Sequence, residues 1–253
     1  MKITIIASNT FREIIRDRIL YNILIFAVII ICSTVLLGKL SIGEHLKIVE
    51  DMGLSAIELF GVLISIFVGI SLVHKEIDKK TIYTIISKPV SRHEFILGKL
   101  TGLILIVFTN IAIMSIVLLL MSWIISGEIH MGLLMASFMI FLEMIIITSI
   151  AILFSSFSTP FLSTLFSLSI FIIGTATTDI RNLGLKASPA AKLLTDLLYY
   201  ILPNLDNFDI KLQVVYSKPI EPSYIWWVTV YSILYSAVIT TLTLLIFEKR
   251  DFK

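Results

Sequence analysis

Six long apolar stretches are the feature that most constrains the fold of this chain. A helix needs about 20 largely apolar residues to cross the hydrocarbon core of a bilayer. Because an open strand leaves its backbone polar groups unpaired in lipid, we interpret these stretches as helices. They occupy about half of the sequence, at Ile19–Leu37, Leu54–Val73, Leu100–Ser126, Leu133–Phe154, Phe161–Thr178 and Tyr224–Phe247.

Composition excludes the other broad classes of protein. Hydrophobic residues make up 57% of the 253 residues and charged residues only 15%, against about 25% charged in a soluble domain. A soluble enzyme of this size needs a more polar surface, and a net charge of +2 indicates no nucleic-acid partner. The single cysteine, Cys32, excludes an intrachain disulfide. The sequence therefore predicts an all-α integral membrane protein with one transmembrane domain over residues 1–253.

The distribution of positive charge predicts the orientation of the six spans. With both termini in the cytoplasm, the inner segments carry 13 of the 20 Lys and Arg residues and the outer segments carry 7. The positive-inside rule therefore places both termini in the cytoplasm. Trp226 and Trp227 then fall in the outer aromatic belt.

The first 18 residues predict an amphipathic helix rather than a cleaved signal peptide. Charged residues from Arg12 to Arg18 interrupt the apolar core that a signal peptide requires. Such a helix lies in the inner membrane interface; the alternative is that span one begins early and leaves a polar tail. Its expected apolar side is Ile3, Ile6, Phe11, Ile14 and Ile15.

The polar segment 74–99, after span two, has the pattern of a short cytoplasmic helix followed by a longer one. Ile82, Ile85 and Ile86 form a short apolar helical face, and Pro89 ends that helix. Ser91 and Glu94 stand at the spacing of a capping box, so a new helix begins there and continues into span three. From the pattern alone, the isoleucine face either docks a partner or lies against the membrane.

This segment resembles the loop after the second span of ABC-2 type transport permeases. That loop shows an acidic residue, a Gly-Thr, a short apolar helix, Lys/Arg-Pro-Val/Ile-Ser-Arg and a Gly-Lys. The sequence departs from the pattern at Lys80, where glycine is common. Matching residues are Glu76, Thr81, Ile85, Ile86, Lys88, Pro89, Val90, Ser91, Arg92, Gly98 and Lys99. Within the family the chain looks most like the multi-copper-enzyme maturation group, partly on its outer segment 199–208.

The resemblance implies the membrane subunit of an ATP-driven exporter in the plasma membrane of a prokaryote. Its partners would be a separate ABC ATPase subunit and a second permease chain, in a homodimer or a heterodimer. The sequence contains no GxxxxGK[ST] loop, so ATP hydrolysis is expected from the partner. By resemblance, the ATPase docks on a coupling helix at 81–87. The residues assigned to this docking are Glu76, Thr81, Ile82, Tyr83, Ile85, Ile86, Lys88 and Arg92.

Polar residues at membrane depth are the other candidates for function. A charge at the bilayer centre costs about 2.5–3.5 kcal/mol or more, so Glu143 is protonated, paired or beside a wet cavity. Glu58 lies nearer the span end and reaches the headgroups, and Asn110 is expected to form an interhelical hydrogen bond. In the long outer segment 179–223, an amphipathic helix from Ser188 to Pro203 either seals the fold or gates an exit.

Two further functional classes have weaker support from the sequence. A membrane enzyme is disfavoured because the four histidines are scattered and show no HExxH pattern. A stand-alone secondary transporter or channel is disfavoured because such proteins often have spans broken by Gly or Pro in matching halves, a pattern that this sequence does not show. Thioethers at Met131, Met135 and Met139 suit Cu(I), but such a stripe more often faces lipid or a neighbouring helix, and we predict no metal site or cofactor.

Overall fold

The chain folds as a bundle of long helices in a computed structural model that describes residues 2–39, 44–78, 91–185 and 189–249. Those residues contain no β-strand, which confirms the all-α prediction. The α-helices are α1 Lys2–Ile15, α2 Arg18–Lys39, α3 His45–Asp78, α4 Arg92–Ser126, α5 Gly132–Ser155, α6 Pro160–Thr175, α7 Thr177–Leu185, α8 Pro189–Ile201, α9 Lys211–Val215 and α10 Pro222–Lys249, with a 3-10 helix at Asp206–Phe208.

Within the described residues, five helices are long and apolar enough to cross a membrane, namely α2, α3, α4, α5 and α10. The most buried are α3 and α5, which lie at the centre of the bundle. Both helices begin at the end of the bundle that the charge distribution predicts to be outside. We call this the outer end and the opposite one the inner end.

The fifth predicted span, 161–178, departs from a straight helix. It consists of α6 and the start of α7, which are bent by 60° relative to each other. The Gly174 carbonyl accepts the Leu205 amide at 3.0 Å and the Thr177 hydroxyl at 2.6 Å. Because these donors occupy a carbonyl of the helix ladder, the helix turns at Ala176. The structure thus has six spans only if this bent pair counts as one.

The N-terminal helix is present as predicted, and its predicted apolar side faces the bundle. Its buried residues are Ala7, Thr10 and Ile14, and Ala7 and Thr10 lie on the same helical side as Ile6 and Ile14. Small side chains are buried because α1 packs directly on the Gly98-x-x-x-Gly102 surface of α4. A Cβ atom at Gly102 would lie 2.7 Å from Thr10 Cβ and 2.9 Å from the Ala7 carbonyl oxygen.

This close packing predicts that Gly102→Ala destabilises the protein. The added methyl group meets the Thr10 Cβ atom and a backbone carbonyl, and overpacking of this kind costs about 1–3 kcal/mol. Gly69→Ala is the matched control, because its Cβ would sit 3.6 Å from Ala151 Cβ in ordinary contact. Thermal unfolding in detergent should show a lower midpoint for Gly102→Ala than for Gly69→Ala. Equal midpoints would show that α1 does not pack on this surface.

Candidate functional site

A segment of the outer loop, residues 203–216, is inserted into the outer end of the bundle. We call it the outer plug. It contains the 3-10 helix and α9, and it packs against α3 and α5. Its apolar side chains join the main core, with Leu205, Phe208, Ile210 and Val215 all at most 6% exposed. The plug therefore seals the outer end. In the sequence analysis, this sealing role was one of two alternatives for the amphipathic helix from Ser188 to Pro203.

The amphipathic helix itself, α8, is present but its apolar face is exposed. It pairs with α7, where Arg181 bonds to Asp196 at 3.0 Å and stacks over Tyr199. The exposed residues of that face are Leu193, Leu194, Leu197, Leu198 and Ile201. Such a face is suited to lipid or another apolar surface.

Three tyrosines on one side of α10 hold the backbone of the plug and the turn before it. Tyr231 Oη accepts the Asn204 amide at 2.9 Å. Tyr224 Oη donates to the Asn207 carbonyl at 2.7 Å, and Tyr235 Oη donates to the Ile201 carbonyl at 3.1 Å. These bonds satisfy backbone groups that would otherwise lack partners where water is scarce.

The plug also carries a lysine into the bundle. Lys211 Nζ donates a hydrogen bond to Glu58 Oε2 on α3, and both side chains are at most 15% exposed. Asp209 Oδ2 lies 3.6 Å from the same ammonium, and Asp209 Oδ1 accepts the Lys211 amide at 3.1 Å. Burial lowers the pKa of Lys211, but the Glu58 carboxylate raises it, and the pKa lies above its ordinary value. Lys211 is therefore a positively charged ammonium.

Glu143 on α5 is another carboxylate buried within a span. Its side chain is 3% exposed. Its Oε1 atom makes no hydrogen bond to any described residue. The adjacent Leu142 carbonyl accepts the buried Ser232 hydroxyl of α10 at 2.8 Å, which fixes α5 against α10. We call Glu58, Asp209 and Lys211 the charge cluster.

Two expectations about single polar residues are wrong. Glu58 does not reach for the headgroups, because it points into the bundle toward Lys211. Asn110 does not bond to another helix among the described residues; its Nδ2 donates to the Ile106 carbonyl of its own helix at 2.8 Å. Lys211 was missed altogether, because a lysine in a loop gives no sequence signal that it pairs with a residue 153 positions away.

A further buried carboxylate, Glu50, lies nearer the outer surface. Glu50 Oε1 accepts the Ser122 hydroxyl at 2.7 Å and lies 2.6 Å from His130 Nδ1. This contact ties the starts of α3 and α5 to the end of α4.

The three methionines of the predicted stripe do not face one environment, since Met131 is exposed and Met139 is fully buried.

The inner end holds the residues next to the predicted docking helix. The Ser91–Glu94 capping box is confirmed, with the Glu94 amide 3.2 Å from Ser91 Oγ and the Ser91 amide 3.0 Å from Glu94 Oε2. Two polar contacts from α4 surround this start: Lys99 Nζ lies 3.6 Å from Glu13 Oε2 of α1, and His93 Nε2 lies 3.2 Å from Glu248 Oε1 of α10. The first turns of α4 are therefore joined to two other helices.

The predicted docking residues lie outside the part of the chain that the structure describes. The residues outside it are Thr81, Ile82, Tyr83, Ile85, Ile86 and Lys88, together with the side chains of Glu76 and Arg92. Their role stays a prediction.

Comparison with known families gives the class of the protein. The sequence matches the family described as "ABC-2 family transporter protein" over residues 4–252. The chain belongs to the ABC-2 transporter family. A search of curated proteins finds no match. Together with the apolar helices, the family match identifies a multi-pass membrane permease of the ABC-2 type.

The charge cluster of this ABC-2 permease predicts strong coupling between Glu58 and Lys211. Removing one partner of a buried ion pair costs about 3–5 kcal/mol, because the other charge is left unpaired. Glu58→Gln and Lys211→Met should each lower the unfolding midpoint, and the double variant should lower it by less than the sum. The exposed pair Glu44–Lys47, 2.8 Å apart, is the matched control and should show little coupling. Additive effects at Glu58 and Lys211 would contradict the pairing.

Proposed function

We propose that this chain is the membrane-spanning subunit of an ABC-2 type exporter in a prokaryotic plasma membrane. The observation that carries the proposal is a transporter-family chain that has no phosphate-binding loop of its own. Energy must then come from a separate ATPase subunit, and the path for the transported molecule from this chain. A second permease chain, identical or different, completes the transporter. Membership of the multi-copper-enzyme maturation group is a finer prediction based on the sequence resemblance.

The ATPase docks on the segment that joins α3 to α4. The helix α3 is central to the bundle, and the start of α4 contacts α1 through Lys99–Glu13 and α10 through His93–Glu248. A movement imposed on this junction is therefore passed to several helices at once. On this proposal the isoleucine face at 81–87 is buried against the ATPase, and Glu76, Lys88 and Arg92 lie at its rim.

The proposal predicts that Ile85→Asp together with Ile86→Asp abolishes assembly with the ATPase. Each buried aliphatic side chain contributes about 1.5–3 kcal/mol, and the two new carboxylates would be buried without partners. The measurement is co-purification of the ATPase with the membrane-inserted permease, normalised to the amount of inserted permease.

A matched control places the same substitutions on another apolar helix. Leu193→Asp with Leu194→Asp alters the exposed face of α8 at the outer end, and it should leave ATPase binding unchanged. Wild-type co-purification of the Ile85/Ile86 variant would place the docking surface elsewhere. Loss of membrane insertion would show that these isoleucines face the membrane instead.

A further inference from the structure

We propose that a groove at the inner end of the bundle binds an anionic phospholipid, with its phosphate at Arg16 and Arg18 and an acyl chain along α3. The first part of the groove is a cavity of about 490 Å³ between the α1–α2 turn and the inner half of α3. Its rim includes both arginines, and its wall includes Phe67 and Leu72. Basic pockets beside spanning helices are typical sites for anionic lipid headgroups.

The charge of the rim favours an anion. Arg16 and Arg18 are both exposed, so their guanidinium groups are accessible to a ligand. Two carboxylates, Glu13 and Asp17, also line the cavity, but Lys99 Nζ lies 3.6 Å from Glu13 Oε2. Three basic groups thus stand against two acidic ones, and the rim keeps a positive excess. A guanidinium group can bind phosphate through two parallel hydrogen bonds.

The apolar part of the groove continues along α3 toward α6. A second cavity, of about 670 Å³, lies between these two helices and shares Phe67 and Ser71 with the first. Phe67 is 44% exposed, although α3 is among the most buried spanning helices. The wall on α6 includes Phe161 and Leu165, which are also exposed. An acyl chain that starts at the arginines would therefore find a continuous apolar surface.

The position of the arginines favours a membrane lipid over a soluble anion. Arg16 is in the turn after the amphipathic helix α1, and Arg18 begins the spanning helix α2. An amphipathic helix of this kind lies at the level of the headgroups, so the turn that follows it lies beside the lipid phosphates. A phospholipid can fill both the rim and the wall, whereas a free phosphate can fill only the rim.

Thermal-shift titration of the full-length chain in a nonionic detergent tests the site. Phosphatidylglycerol should raise the unfolding midpoint, because a ligand that binds only the native state stabilises it. Phosphatidylcholine with the same acyl chains should raise it far less, because its headgroup has no net charge. Soluble glycerol 3-phosphate should also raise it far less, because it has no acyl chain. Native mass spectrometry of the same samples should show phosphatidylglycerol retained on the protein.

A pair of arginine substitutions tests the rim. Arg16→Gln with Arg18→Gln should weaken the apparent affinity for phosphatidylglycerol about 25-fold, since each basic side chain near the membrane surface contributes about fivefold. Lys2→Gln with Arg12→Gln is the matched control, because it removes two exposed charges of α1 that do not line the cavity. This control should leave the affinity nearly unchanged.

A bulky substitution tests the apolar wall. Ser71→Trp fills the place where the two cavities meet, so it should weaken binding although both arginines remain. Where this variant does not fold, Ser71→Leu has the same expected effect. Val238→Trp is the control, because it adds the same side chain at a position of α10 that is 59% exposed.

Four outcomes overturn the proposal. They are equal stabilisation by phosphatidylglycerol and phosphatidylcholine, equal stabilisation by glycerol 3-phosphate, and wild-type affinity in either the arginine pair or the Ser71 variant. The fourth is a change in the monomer–dimer balance of these variants without a change in lipid retention, which would assign the groove to an interface between two copies of the chain. Because the test needs no ATPase and no transported molecule, its result is independent of the proposed function.

Discussion

The outer half of this permease depends on a buried carboxylate, Glu58, that is paired with the ammonium of Lys211. A charge in the hydrocarbon region costs several kcal/mol unless it is paired, so Glu58 requires a cation from somewhere in the fold. Lys211 supplies it from a loop rather than from a neighbouring span. This requirement explains why residues 203–216 enter the bundle, and why their apolar side chains are as buried as those of the spans. Loss of the ion pair would leave a charge exposed to an apolar core and remove the main polar anchor of the plug.

The helix α3 connects this cluster with the opposite end of the protein. It carries Glu50 and Glu58 in its outer half and runs without a break to Asp78, where the predicted docking segment follows. At the inner end, α4 begins at a confirmed capping box and is tied to α1 through close glycine packing. A docked ATPase would therefore act on two continuous helices, one of which holds the carboxylates beneath the plug. The two ends are joined by rigid elements, so a flexible linker is not needed to couple them.

The fold class could be predicted from the sequence because apolar length and continuity dictate helices in a membrane. The capping box was equally readable, since it depends on residues three positions apart. The Lys211–Glu58 pair, the Glu50–His130 contact and the bend at Ala176 were not. Each depends on residues brought together from distant parts of the chain, such as the Leu205 amide on the Gly174 carbonyl, and a single sequence gives no sign of them. The packing side of α1 was readable from its apolar pattern, but the small residues Ala7 and Thr10 that permit close approach to Gly102 were not.

Thiol labelling of the plug tests most directly the claim that it is seated in the bundle. Two positions on the five-residue helix α9 differ in burial, with Val215 at 6% exposure and Gln213 exposed. Cysteines at these positions, in a Cys32→Ser background, are treated with a membrane-impermeant maleimide in nanodiscs that expose both faces of the membrane. The account predicts rapid labelling of Gln213→Cys and protection of Val215→Cys. Equal labelling rates at the two positions would mean that the plug lies free of the bundle and would contradict the account.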